Sequence, residues 1–234
     1  MSARSDDSLE LLSPTDTLRG YDLWSTQYDG GDNPMIAATA WSLDARPLAL
    51  RDARVLELGC GTGRNAARVL AGGARAYLGV DGSAGMLDLA RARVADPRCA
   101  WKLAALDHEI ALGDPGSFDV ALIVLVLEHL RSLSPLFATA ARALRPGGVL
   151  RIAEIHPSLV GAGTVAHFHD GAREVRFTSV AHDLVGLQRQ LSGAGFAIAH
   201  IEEHLADGAL LAAVPRLAKH RGRAVVLDVA ATRA

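Results

Sequence analysis

Val55-Leu56-Glu57-Leu58-Gly59-Cys60-Gly61-Thr62-Gly63 is the stretch whose reading decides the fold. A short apolar strand runs into three alternating glycines, and a helix follows from about Arg64 to Ala71, where Gly72-Gly73 stops it. Glycine admits a tight turn, positive φ and close approach of backbone to a ligand. The first turn of the helix adds N–H groups without intrahelical partners. Strand, loop and helix together therefore describe a ligand cradle.

Outward from this cradle, strands and helices alternate. Ala76 to Val80 reads as a second strand, and Ser83 caps a helix to about Val94. Cys99 to Ala104 is a third strand, and Phe118 to Val124 a fourth, apolar enough to be buried on both faces. Leu133 to Leu144 is helical, Arg145-Pro146-Gly147-Gly148 turns, and Val149 to Ile155 is the fifth strand. Such alternation with short connections predicts a Rossmann-like α/β fold, a mostly parallel sheet with right-handed crossovers.

The flanks are less regular. Residues 1–14 carry little hydrophobicity and read as a disordered leader, with the single domain over 15–234. Leu18 to Tyr28 is amphipathic, and Asp32-Asn33-Pro34 offers a cap and a first-turn proline for a helix from about 34 to 45. After residue 156, Val165 to His169 and Glu174 to Thr178 resemble a hairpin through Asp170-Gly171. A helix from about His182 to Ala194 and strands Phe196 to Glu203 and Val225 to Ala230 complete the chain.

Composition excludes several classes. The formal net charge is −2 and no long run of Lys or Arg occurs, which argues against nucleic acid as a partner. Two cysteines, Cys60 and Cys99, are too few for a disulfide framework and fit a reducing compartment. The polar first residues lack an apolar signal-type segment, and no stretch reaches membrane-spanning length without charges. A cytoplasmic protein acting on a small molecule is the expectation, with oligomeric state unread.

The loop also discriminates between ligands. A dinucleotide fingerprint has its third glycine three residues after the second, where this chain has Arg64. The early Gly63 disfavours a pyrophosphate and with it a nicotinamide oxidoreductase. Asp81 ends the second strand near the distance, about 20 residues on, at which an acid meets ribose hydroxyls.

With these elements in place, the sequence resembles the class I S-adenosylmethionine-dependent methyltransferases. The resemblance rests on ELGCGTG at 57–63, GVDGSAGML at 79–87, FDVALIVLVLEHL at 118–130 and ALRPGGVLRIAE at 143–154. It implies a seven-stranded doubly wound sheet whose antiparallel last strand is Val225 to Ala230, with an N-terminal helical lid and a cap over 156–195. It implies S-adenosylmethionine as cofactor and methyl transfer to O or N of a small metabolite. Glu57, Gly59, Cys60, Gly61 and Gly63 would lie near its methionine part, Asp81 on its ribose, and Gly82 and Met86 near its adenine. Asp107 would reach the adenine amino group, and Leu125 would close the pocket. Gly82 departs from relatives, which often carry Ile or Met there, and Ala105-Leu106-Asp107 matches loosely.

Methyl transfer requires positioning above all, since the cofactor carries the activation. The candidate bases or positioning groups are His129 and His156, both at carboxyl ends of strands, with His167, His169 and His182 in the cap. His167 and His169 share a strand face but lack further ligands, so no metal is expected. Tyr21, Trp24 and Tyr28 form either an aromatic lid or simply packed core. The alternative to methylation is a protein that uses the bound cofactor for a non-methylating cyclisation or rearrangement.

Overall fold

The computed structural model describes residues 9–13, 16–30 and 33–234. The strands are β1 (Leu9–Leu12), β2 (Arg54–Leu58), β3 (Ala76–Asp81), β4 (Cys99–Leu103), β5 (Phe118–Val124), β6 (Leu144–Ile155), β7 (His167–Asp170), β8 (Arg173–Phe177), β9 (Phe196–Leu205) and β10 (Ala224–Arg233). The helices are α1 (Thr17–Tyr28), α2 (Pro34–Ala45), α3 (Arg64–Ala71), α4 (Ala84–Arg93), α5 (Ser134–Ala143), α6 (Pro157–Gly161), α7 (Leu184–Gly193) and α8 (Gly208–Ala213). Tight 3₁₀ turns occupy Leu127–His129 and Pro215–His220.

Seven strands form one sheet in the order β4-β3-β2-β5-β6-β10-β9. β2 pairs in parallel with β3 on one side and β5 on the other. The chain thus winds outward to β4, returns to the centre and winds the other way. β10 runs antiparallel to both β6 and β9, as the resemblance implied. Ligands of such sheets bind beyond the carboxyl ends of the strands where the winding reverses, here between β2 and β5.

The period-2 pattern of β2 and β5 builds both layers. Val55, Val120 and Leu122 pack against Ala66, Val69 and Leu70 of α3. Leu56, Leu58, Ala121 and Ile123 face Leu136 and Phe137 of α5. Caps match the local chemistry. The Asn33 side chain accepts from Met35 N at 2.9 Å, and Ser83 Oγ accepts from Met86 N at 3.1 Å. Asp32, named with Asn33 in the cap, lies outside the described residues.

The disorder expected of residues 1–14 gives way to order at Leu9–Leu12, where β1 pairs in parallel with β8. Residues 1–8 and 14 lie outside the described residues. β1, β8 and β7 make a separate three-stranded sheet against α1, with Leu12, Trp24, Phe168, Val175 and Phe177 as its core. That burial was invisible in a four-residue strand whose partner lies far along the chain. The turn expected at Arg145–Gly148 is instead an irregularity within one long strand β6, whose pairing shifts between Phe118/Leu144 and Val120/Val149. α7, placed in the cap by sequence, buries Leu187 and Leu191 in the main sheet core instead.

Candidate active site

The loop from Gly59 to Gly63 takes its shape from positive φ at all three glycines, 79°, 51° and 71°. Their surroundings differ. A Cβ on Gly63 would stand 2.7 Å from Trp101, and one on Gly59 would collide with Val126. A Cβ on Gly61 would meet no protein atom within 4 Å. Gly59 and Gly63 are therefore glycines for close packing, whereas Gly61 presents bare backbone to open space.

That space is a cavity of about 280 Å³ beyond β2, β3 and β5. Gly59, Gly61, Asp81, Gly82, Met86, Asp107 and Leu125 line it, together with Leu18, Tyr21, Tyr28 and His129. Asp81 Oδ2 accepts from Gly61 N at 2.8 Å and Oδ1 from Ser83 N at 2.9 Å. Burial raises the Asp81 pKa, and the N–H groups of Ser83 and Gly61 oppose that rise. Gly82 owes its missing side chain to the lid: a Cβ there would stand 2.5 Å from Leu18 of α1. A mostly apolar slot, an open glycine and a carboxylate at the strand end fit a purine nucleoside with a free ribose diol. These are the residues that would hold S-adenosylmethionine.

Three expected cofactor residues stand behind this wall. Glu57 shares the α3 face of β2, where it is 1% exposed and accepts from Tyr77 Oη at 2.5 Å and Asn65 Nδ2 at 2.7 Å. Burial pushes its carboxyl up to about 7 against those two hydrogen bonds. It shapes the loop from below and does not line the cavity. Cys60 is buried, its Sγ beside Gly79, and burial pushes the thiol pKa well up. Gly63 begins α3 in the left-handed conformation and sits against Trp101.

A second cavity of about 880 Å³ adjoins the first, and Tyr21, Tyr28, Leu125 and His129 line both. At this junction the Tyr21 hydroxyl lies 2.7 Å from His129 Nε2. Burial lowers the His129 pKa, with Glu128 opposing, and its Nδ1 is buried without a partner among the described residues. Glu128 Oε1 is 3.8 Å from His129 Nε2, while Oε2 accepts from Ser179 Oγ at 2.6 Å. Leu125 carries φ 55°, a strained value for a non-glycine residue. Glu154 sustains it, accepting from Val126 N at 2.6 Å and Leu127 N at 3.2 Å. Glu154 is 2% exposed, and burial pushes its carboxyl up to about 8.

α1 supplies residues to the walls of both cavities. Tyr21 and Trp24 stack at 5.8 Å, Trp24 and Phe168 at 5.3 Å, and Tyr21 meets Phe177 at 4.8 Å. Trp24 is core and cavity wall at once. α1 is pinned at two points. Asp22 Oδ1 accepts from Ser83 Oγ at 2.6 Å and Gly85 N at 3.0 Å, and Asp29 Oδ1 from Thr62 Oγ1 at 3.0 Å and Arg64 Nε at 2.8 Å.

The histidines divide. His129, His167 and His169 line the larger cavity. His156 does not: its Nδ1 caps α6, accepting from Ser158 N at 3.2 Å, and its Nε2 pairs with Glu203 Oε2 at 2.8 Å. Both ring nitrogens are committed, which removes it as a base. His182 likewise ties its Nε2 to Leu127 O and Leu130 O, at 3.1 and 2.8 Å. Among the described residues, no cluster of three or more His, Cys, Asp or Glu is arranged to hold a metal.

Sequence reading missed Arg216, Lys219 and His220 of the second 3₁₀ turn, which line the larger cavity. No local signal marks them, since a chain crossover brings them there. Among the described residues, no helix is long and apolar enough to cross a membrane.

Comparison with known proteins agrees with this fold. A family model described as a methyltransferase domain matches residues 56–150. An uncharacterised methyltransferase of Emericella nidulans is 28% identical over 223 residues, covering 78% of this chain and 76% of that protein. A ubiquinone biosynthesis O-methyltransferase of Sinorhizobium fredii is 33% identical over 117 residues, 50% of this chain but only 46% of that relative's length. An S-adenosylmethionine-dependent methyltransferase structure from Mesorhizobium loti superposes with a TM-score of 0.70 at 28% identity, covering 84% of this chain and 98% of that one.

Proposed function

The chain belongs to the class I S-adenosylmethionine-dependent methyltransferases, and from that premise we propose that it methylates an oxygen or nitrogen of a small molecule seated in the larger cavity. One observation carries this reading: two cavities of about 280 and 880 Å³ share the wall formed by Tyr21, Tyr28, Leu125 and His129. A cofactor in the first and an acceptor in the second would meet there.

When bound, S-adenosylmethionine supplies a methyl group on a sulfonium, both electrophile and leaving group in one molecule. The chain's own residues do the rest. Asp81 and the Gly61 backbone orient the nucleoside. Leu125, held in its strained turn by Glu154, and the aromatic lid exclude water from the junction. His129 is the proton acceptor, because burial keeps the imidazole neutral near pH 7. Tyr21, whose pKa burial raises well above 10, keeps its proton and aligns the ring through the 2.7 Å hydrogen bond. Glu128 is near enough to stabilise the imidazolium that forms.

The test incubates the protein with methyl-labelled S-adenosylmethionine and a metabolite extract and follows the label by mass spectrometry. Label in a discrete small molecule is expected. With that acceptor, His129→Gln should lose on the order of 10² to 10⁴ in kcat, with cofactor affinity kept. Bound cofactor whose methyl never moves would overturn the reading in favour of a non-methylating reaction.

A further inference from the structure

Resting on that reading, we infer that the acceptor is an anion whose carboxylate or phosphate group is held by Lys219 and His220, away from the methyl-transfer junction. Both residues come from the 3₁₀ turn Pro215–His220 and line the larger cavity. Lys219 is exposed, and among the described residues its Nζ has no hydrogen-bond or ion-pair partner. His220 Nδ1 is buried with no hydrogen-bond partner among the described residues. A buried ring nitrogen without a partner is costly unless a ligand satisfies it.

Other basic residues share the lining. Arg216, one turn before Lys219, also lines this cavity, as do His167 and His169 of β7. His167 Nδ1 is used by Val165 O, so its Nε2 is the nitrogen left for a ligand. Glu174, opposite His169 on β8, is already paired with Arg176. Among the described residues, Glu128 is the acidic side chain of the lining, and it stands at the His129 junction with one oxygen held by Ser179. Positive and hydrogen-bonding groups therefore gather on one part of the wall while the base and its carboxylate neighbour occupy another. That division orients an acceptor carrying an anion and a nucleophile at separate positions, which is what productive positioning requires. A neutral acceptor without a hydrogen-bonding group at this end would leave the His220 nitrogen unmatched.

The experiment uses the full chain loaded with S-adenosyl-L-homocysteine and follows histidine ring resonances during titration with inorganic phosphate or with acetate, chloride holding ionic strength constant. His200 on β9, paired with Glu202, serves as the reference outside the cavity. A saturable shift of the His220 resonance is expected, absent at His200. The stronger of the two titrations identifies phosphate or carboxylate as the group. Lys219→Gln should weaken the half-saturation at least fivefold, and Lys219→Arg should retain most of it. A linear or absent response at His220 to both anions, or one indifferent to Lys219→Gln, would overturn the inference while leaving methyl transfer intact. Failure to load S-adenosyl-L-homocysteine at all would instead strike the functional reading beneath it.

Discussion

Replacing Asp81 by Asn tests the cofactor site most directly. The side chain keeps its shape and loses its charge. In the folded protein Asp81 Oδ2 accepts from Gly61 N at 2.8 Å and Oδ1 from Ser83 N at 2.9 Å. An amide can satisfy only one of these donors, so the other N–H is left facing an NH₂ group. That costs about 1–3 kcal/mol, or roughly 2–12 °C in Tm at about 2–4 °C per kcal/mol for a chain of this size. The larger effect concerns the ligand. Two ribose hydroxyls donating to a carboxylate make charge-assisted hydrogen bonds of about 1.5–3 kcal/mol each. Taking the lower end for both gives about 3 kcal/mol, on the order of 100-fold in Kd. Calorimetric titration with S-adenosyl-L-homocysteine measures it, and a 2′-deoxy analogue separates the two effects. Wild-type protein should discriminate against the deoxy ligand by about tenfold or more, and Asp81→Asn should scarcely discriminate. Asp88→Asn is the control, because that side chain is 76% exposed, paired with Arg91 and outside the cavity lining; its Kd should change less than threefold. Equal penalties on both ligands in Asp81→Asn would refute the assignment and reduce Asp81 to a brace for the glycine loop.

Three further outcomes follow from the same geometry. Gly61→Ala should fold with a loss of about 1–2 kcal/mol from its left-handed backbone yet bind S-adenosyl-L-homocysteine poorly, whereas Gly59→Ala, obstructed by Val126, should lose stability more than Gly61→Ala in thermal melts; the reverse order would contradict the division of roles. Glu154 is held at about 8 by burial against about 4.5 unfolded, so the folded state binds the extra proton between these values and this contribution to stability is lost as pH rises through them. Melting curves of Glu154→Gln should therefore run flatter than wild type from about pH 4.5 to 8, and parallel profiles would show that the carboxyl is not protonated in the fold. Arg151 and Asp228 are each 1% exposed and paired with one another, with Ser42 also donating to Asp228; Asp228→Leu strands the guanidinium and should cost about 3–5 kcal/mol, while Arg151→Met combined with it should restore much of the loss in denaturant titrations.

Much of this molecule is local chemistry, and local chemistry is readable from the chain. The apolar runs at 55–58 and 118–124 are buried on both faces because parallel strands are covered on both sides. Gly61, Asp81, Gly82, Met86, Asp107 and Leu125 meet at one cavity because each stands at or just beyond the carboxyl end of a strand, and strand order alone brings those ends together. Residues that failed did so for equally physical reasons. Glu57 sits one residue out of phase with the layer of Leu56 and Leu58, so its carboxylate turns toward α3. His156 stands at a strand end like His129, but Ser158 and Glu203 claim both its nitrogens. A histidine becomes a base only when its neighbours leave a nitrogen to it, and those neighbours lie far along the chain. The same holds for the lid, where β1, α1, β7 and β8 become one aromatic cluster only on folding. It holds too for Lys219 and His220, delivered to the cavity by a turn that carries no motif. Sequence alone determined the sheet, the cradle and the cofactor class, since spacing and alternation act between near neighbours. Tertiary structure decided which polar groups are occupied and which stand ready for a ligand, because satisfaction of a buried donor or acceptor depends on whatever the whole fold packs against it.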